Sequence, residues 1–208
     1  MPKPNYQLEL DKTLKKITSE NIRPRLLLHA CCAPCSSYVL EYLTEYFDIT
    51  VFFYNPNISP ESEYLHRVSE IKRLISEMCP TVKFIEGRYE PEKFYEMAKG
   101  LENEPERGAR CVKCYRMRIE ESAVIAKQNN FDYFTTTLSI SPQKDSHVLN
   151  SIGKAVSEMY NIPYLFSDFK KRGGYKRSTE LSQQFSLYRQ NYCGCVFSKA
   201  GRAANDQC

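Results

Sequence analysis

A single α/β domain with a mostly parallel, doubly wound sheet is the fold this sequence predicts, and three observations predict it. Short apolar runs alternate with stretches of helical periodicity along most of the chain. The first run, residues 25–29, is apolar without polar alternation, as a strand buried on both faces is. The 208 residues suffice for one sizeable core and fall short of two. Hydrophobic residues at 42% and charged residues at 26% exclude a disordered or collagen-like chain. No window approaches the apolar length of a membrane span, so the expectation is a cytoplasmic protein with no membrane partner.

Residues 7–20 carry apolar positions at helical spacing and predict a helix packed outside the core, within an N-terminal extension spanning residues 1–23. After the strand at 25–29 come a helix at 36–46, a strand at 49–54 and a turn-rich loop at 55–60. Pro60 then stands at the start of a helix over 61–78. A third strand at 81–85 and a helix at 91–101 precede a polar loop that runs to Gly108. A helix at 111–128, a fourth strand at 131–136, a helix at 147–160 and a short strand at 162–166 complete the pattern. The segment 168–208 closes the chain, with helical spacing over 178–189.

In open α/β sheets, ligands bind beyond the carboxyl ends of the strands, near the point where strand order reverses. The unusual loops of this chain, at 31–35, 55–60 and 137–145, all follow strands and gather there. Neither GxGxxG nor GxxxxGK[ST] is present, which argues against a nucleotide cofactor.

Seven of the nine cysteines fall in three clusters: Cys31-Cys32-Ala33-Pro34-Cys35, Cys111-Val112-Lys113-Cys114 and Cys193-Gly194-Cys195. In a reducing compartment such bunching points to metal or redox use rather than to structural disulfides. The vicinal pair Cys31 and Cys32 is expected to diverge, which suits a polynuclear site better than one tetrahedral ion. Cys35 is either a further ligand or a residue facing the first helix. Cys111 and Cys114 open a helix among Arg110, Lys113, Arg116 and Arg118, an environment expected to favour thiolate. Half a zinc site and half an iron–sulfur site both fit that pair, whereas a thioredoxin-like dithiol would come earlier in the chain, after its first strand. A disulfide across Gly194 would close a strained ring, so Cys193 and Cys195 suit redox cycling or a second metal. Cys79 and Cys208 are bystanders. His29, His66 and His147 have no metal-ligand spacing, whereas Asp145 and Asp168 fall at strand ends, where each would serve as a hard oxygen ligand or a proton donor.

The charge of +4 is unevenly spread. Residues 168–202 carry eight Lys/Arg against Asp168 and Glu180, a net +6 interleaved with six Phe and Tyr. That makeup suits either a solvated helix face over core aromatics or, through Lys170, Lys171, Arg172, Lys176 and Arg177, a surface that grips nucleic-acid phosphates beside stacking aromatics.

Six motifs in order carry a family resemblance. They are the Cys31–Cys35 cluster, Tyr54-Asn55-Pro56-Asn57, Cys111-x-x-Cys114-Tyr115-x-x-Arg118, residues 136–145, Asp168-Phe169-Lys170-Lys171, and residues 188–195. Together they resemble the epoxyqueuosine reductase QueH family over residues 25–198. The resemblance implies a Rossmann-like domain of the HUP type. It also implies cobalamin-independent reduction of epoxyqueuosine to queuosine in the tRNA anticodon, fed by an unidentified electron donor. By that resemblance Cys31, Cys32, Cys111 and Cys114 hold a [4Fe-4S] cluster beside a second metal, iron, and Cys193 with Cys195 form a redox-active pair that closes as a disulfide. Two rival readings are an iron–sulfur-dependent sulfur-transfer enzyme acting on tRNA and a non-catalytic, zinc-stabilised RNA-binding module.

Overall fold

The computed structural model describes the backbone of residues 4–205 and the side chains of residues 4–200, so Cys208 and the side chain of Arg202 lie outside the described residues. Helix α1 (Tyr6–Ser19) precedes β1 (Arg25–His29), α2 (Ala33–Leu43), β2 (Asp48–Phe53), α3 (Glu61–Met78), β3 (Lys83–Glu86), α4 (Pro91–Ala98) and α5 (Ala109–Gln128). Next come β4 (Tyr133–Thr136), a 3-10 turn (Thr137–Ile140), α6 (Ser146–Tyr160), α7 (Gly174–Gln184) and α8 (Val196–Asn205). The four strands are all parallel, in the order β3-β2-β1-β4. The chain therefore moves outward from β1 to β3 and crosses back to β4, which puts the reversal of strand order between β1 and β4.

Side-chain alternation along the strands sorts the core into two layers. Leu26, Leu28, Val51 and Phe53 pack with α1, α2 and α3 on one face of the sheet. Leu27, Phe52 and Phe134 pack with α5 and α6 on the other. A strand covered on both faces takes apolar residues on both, which is why Leu26, Leu27 and Leu28 follow one another without polar alternation.

Two expectations are corrected here. Helix α1 does not pack outside the core: Leu10, Leu14 and Ile17 are buried in the α1–α2–α3 layer, and Asn5 caps the helix by accepting from the amides of Gln7 and Leu8. The strand expected over 162–166 is one parallel bridge, Tyr164 against Phe134, flanked by Phe134 N–H donating to the Pro163 carbonyl. Pro163 has no N–H to give to a ladder, so pairing stops there. Among the described residues, no helix is long and apolar enough to cross a membrane.

Candidate metal centre

The loops after β1 and β4 flank the reversal point and open a cavity of about 480 Å³. Its wall takes Cys31, Cys32 and Cys35 from the β1–α2 turn, Arg118 from α5, Lys144 from the β4–α6 loop, and Arg189, Tyr192 and Cys193 from the C-terminal segment. A second void of about 20 Å³ is lined by Cys111, Cys114, Cys193, Cys195 and Asn57. Cys193 borders both, so the clusters line two neighbouring voids, Cys31, Cys32 and Cys35 in the larger and Cys111, Cys114 and Cys195 in the smaller. Among the described residues, the sulfurs close enough together for one ion are those of Cys31, Cys32 and Cys35.

The sulfurs of Cys31, Cys32 and Cys35 lie within 4.8 Å of one another, with Cys31 Sγ 3.8 Å from Cys32 Sγ. The vicinal pair thus converges instead of diverging. Cys32 is the extended N-cap of α2, and the first helical turn carries Cys35 back over it. Hydrogen bonds from Cys32 and Cys35 hold the Cys31 thiol well below its ordinary range, with Lys144 and Arg118 adding to the effect against burial. Cys32 is pushed up to about 12, first by that same hydrogen bond, and Cys35 rises for the same reason. A thiolate within the trio is therefore favoured by the neighbouring thiols and by the nearby Lys144 and Arg118.

Cys111 and Cys114 follow a different rule. Glu104 caps the start of α5 by accepting from the Ala109 amide, and the Arg107 amide donates to Cys111 Sγ at 3.3 Å. The expected bias toward thiolate is overturned at Cys114, because burial pushes it up to about 12 despite the nearby Arg118. Cys111 is raised too, again chiefly by burial. Of the surrounding cations, Arg110 turns away to the Leu101 and Glu102 carbonyls and Arg116 pairs with Glu120. Without a metal to displace their protons, these two thiols stay neutral.

Cys193 and Cys195 are free thiols, as are all the described cysteines. Their positions come from a strap, residues 185–195, laid along α3. Arg73 donates to the Phe185 and Ser186 carbonyls, Glu70 accepts from the Tyr188 amide, and Glu63 accepts from the Tyr188 hydroxyl. Arg67, 2% exposed, pairs with Glu63 and donates Nη1–H to the Cys193 carbonyl at 3.3 Å. Gly194 sits at φ +110, where a Cβ would meet Ile58 and Arg67 at 3.0–3.1 Å, so only glycine fits between the two cysteines.

The carboxylates expected at the site have other partners. Asp145 caps α6, accepting from the His147 amide at 2.7 Å. Asp168 accepts from the Ser146 hydroxyl and pairs with Lys170, which in turn donates to the Ser139 carbonyl. Neither carboxylate lines the cavity. Their work is to fix the β4–α6 loop that presents Lys144. His29 is a satisfied core residue: Nε2–H donates to the Tyr54 carbonyl and Nδ1 accepts from Thr136, while burial lowers its pKa to about 4.

Most of the basic residues expected to hold nucleic acid are engaged within the chain. Arg172 pairs with Asp11, Arg177 with Glu41 and Glu180, Lys170 with Asp168, and Lys176 lies 4.0 Å from Glu180. Among the described residues, only Lys171 of the five has no ion pair. Lys144 and Arg189, in the cavity wall, have none either.

Arg67 is the functional residue that motif reading missed. A signal was present, since it occupies the apolar stripe of α3 between Tyr64, Val68 and Ile71, where a charge is costly without a task.

A parallel α/β protein with a cysteine-lined cavity at its switch point, able to hold a metal, is the class that this fold and site define. A family model described as "Epoxyqueuosine reductase QueH" matches residues 26–201. The chain belongs to that family of oxidoreductases. Relatives named epoxyqueuosine reductase QueH are 46% identical in Staphylococcus epidermidis, covering 93% of this chain and 86% of that protein, and 43% identical in Streptococcus pyogenes, covering 94% and 80%. A third, from Thermotoga maritima, is 37% identical over 83% of this chain and 89% of its own length. Among solved structures, a deacetylase of teicoplanin biosynthesis aligns over 67% of this chain and 65% of its own, at 10% identity and a TM-score of 0.37, a likeness too remote to carry an argument.

Proposed function

We propose that this protein reduces epoxyqueuosine to queuosine in the anticodon of tRNA, without cobalamin. In this reading a [4Fe-4S] cluster is held by Cys31, Cys32, Cys111 and Cys114, with iron as a second metal beside it. The observation that carries the reading is the placing of seven cysteines from three distant segments around two neighbouring voids that share Cys193. The donor set fits such a group. Arg118 Nη2 and Asn57 Nδ2 are buried donors with no partner, both bordering these sulfurs, and a thiolate-bound cluster would present them with acceptors.

Converting the epoxide to an alkene consumes two electrons and two protons and releases the oxygen as water. The bound metal groups would supply single-electron transfer and Lewis acidity at the epoxide oxygen. The chain supplies the rest. Leu138, Ile140 and Pro142 give the cavity an apolar wall, and Tyr175 and Tyr192 present rings to a splayed-out base. Lys144 offers an ammonium donor to the departing oxygen. Burial opposes its charge, but the facing sulfurs of Cys193 and Cys31 raise its pKa overall. Cys193 and Cys195, on becoming a disulfide, release two electrons and two protons, the quantities one turnover requires. An external reductant then restores the dithiol. If this relay operates, the Cys193→Ser, Cys195→Ser double variant reduces substrate only when a chemical reductant is added.

The test of the whole reading is anaerobic purification, iron and sulfide quantitation, and nucleoside mass spectrometry of epoxyqueuosine-containing tRNA after incubation. Iron, sulfide and queuosine formation are the expected results; a colourless zinc protein that leaves the epoxide intact overturns it.

For the RNA contact we place Arg189, in the cavity wall, and Lys171 ahead of the ion-paired cations near α7. Each lost phosphate contact reduces the slope of log K against log[salt] by about 1. Arg189→Ala is therefore expected to flatten the slope for tRNA by that amount, and Arg177→Ala to leave it nearly unchanged. Filter binding across a salt series reads both.

A further inference from the structure

One residue of the cavity makes contacts that neither substrate binding nor the ligand set accounts for. Arg118 is 1% exposed, on the buried face of α5 one turn beyond Cys114. Its Nε donates to the Cys114 carbonyl at 3.3 Å, and its Nη1 donates to Asn55 Oδ1, also at 3.3 Å. Asn55, itself fully buried, donates its amide Nδ2 to the Ala30 carbonyl at 2.8 Å. A continuous buried chain of hydrogen bonds thus runs from the residue before Cys31 to Cys114, joining two segments more than 80 residues apart in sequence. The remaining nitrogen, Nη2, is buried and has no partner.

We infer that Arg118 is a positioning residue: with Asn55 it holds the two cysteine pairs at a fixed separation, and it aims a charged N–H at the group they bind. The inference rests on the cluster reading above. A charged group buried at low effective dielectric must be matched, and the ionisable groups that Arg118 faces include the sulfurs of Cys114, Cys193 and Cys31. Reduction adds a negative charge to a cluster, and a fixed guanidinium stabilises that charge. Arg118 therefore raises the cluster's reduction potential, and the rigid separation of the pairs raises its affinity for iron.

The test compares wild type, Arg118→Gln, Arg118→Lys and Asn55→Ala, all purified anaerobically and checked for folding by far-UV circular dichroism. Chelator competition should show iron held about 10- to 100-fold more weakly in Arg118→Gln and Asn55→Ala, the usual cost of removing a group that orients metal ligands. A redox titration followed by electron paramagnetic resonance should show a more negative midpoint for Arg118→Gln. Arg118→Lys keeps the charge without the fork and should fall between, which makes it the decisive protein if Arg118→Gln retains no iron. A midpoint equal to wild type in a folded, iron-loaded Arg118 variant overturns the inference. Wild-type protein without iron overturns instead the cluster reading on which it stands.

Discussion

Arg67→Met is expected to destabilise the protein by about 3–5 kcal/mol, the range for breaking a buried ion pair by removing one partner. Met fills much of the same space but leaves Glu63, whose side chain is only 13% exposed, with the Tyr188 hydroxyl and no counter-charge. Urea unfolding monitored by circular dichroism measures the loss. The double variant Glu63→Gln, Arg67→Met should regain most of it, since the isolated charge, not the missing attraction, dominates the cost. A second readout separates this pair from ordinary core residues. Arg67 also holds the Cys193 carbonyl and lies under the Tyr192 ring at 5.4 Å, so its loss should free the strap and speed alkylation of Cys193 in the folded protein. A loss below 1 kcal/mol, with Cys193 no more reactive, would contradict the role given to Arg67.

Cys114→Ser is expected to reduce bound iron to background and to abolish turnover, because serine keeps the shape but not the thiolate a cluster needs. Cys35→Ser is the informative companion. In the structure the Cys35 sulfur sits within 4.8 Å of those of Cys31 and Cys32. If the ligands are Cys31, Cys32, Cys111 and Cys114, the Cys35 variant keeps its cluster and its iron–sulfur absorbance. If it goes colourless while Cys114→Ser stays loaded, the ligand set has been misassigned. Iron quantitation and absorbance spectra of the two variants decide between these outcomes.

The fold was legible because its cause is local. Continuous apolar runs mark strands covered on both faces, and the boundaries of α3 and α5 follow from Pro60 and the loop ending at Gly108. Where the reading failed, a distant contact decided. Helix α1 looks like an exposed amphipathic helix until Leu10, Leu14 and Ile17 join the core of its layer, and residues 162–166 look like a strand until Pro163 interrupts their pairing. The site divides the same way. That the cysteines matter was visible in their spacing, but the partners of Asp145, Asp168 and the cations near α7 were not, because a charge in sequence does not declare its counter-charge. Arg177 reads as a free cation until the fold sets Glu41 beside it. Burial reverses sign arguments too: the cations around Cys114 promised a thiolate, and desolvation outweighs them.

The strap has a consequence for the protein's birth. The cavity draws one wall from Cys31 and another from Cys193, so the chain must be extended by about 160 residues after the first ligand emerges before the pocket exists. At synthesis rates of about 5–20 residues per second, that leaves the vicinal thiols without their cover for roughly 10–30 s. Through that interval the sulfurs of the β1–α2 turn lack the wall that the strap supplies. Ribosome-stalled chains ending before Arg189 should therefore leave the Cys31 thiol more open to alkylation than the full-length chain does.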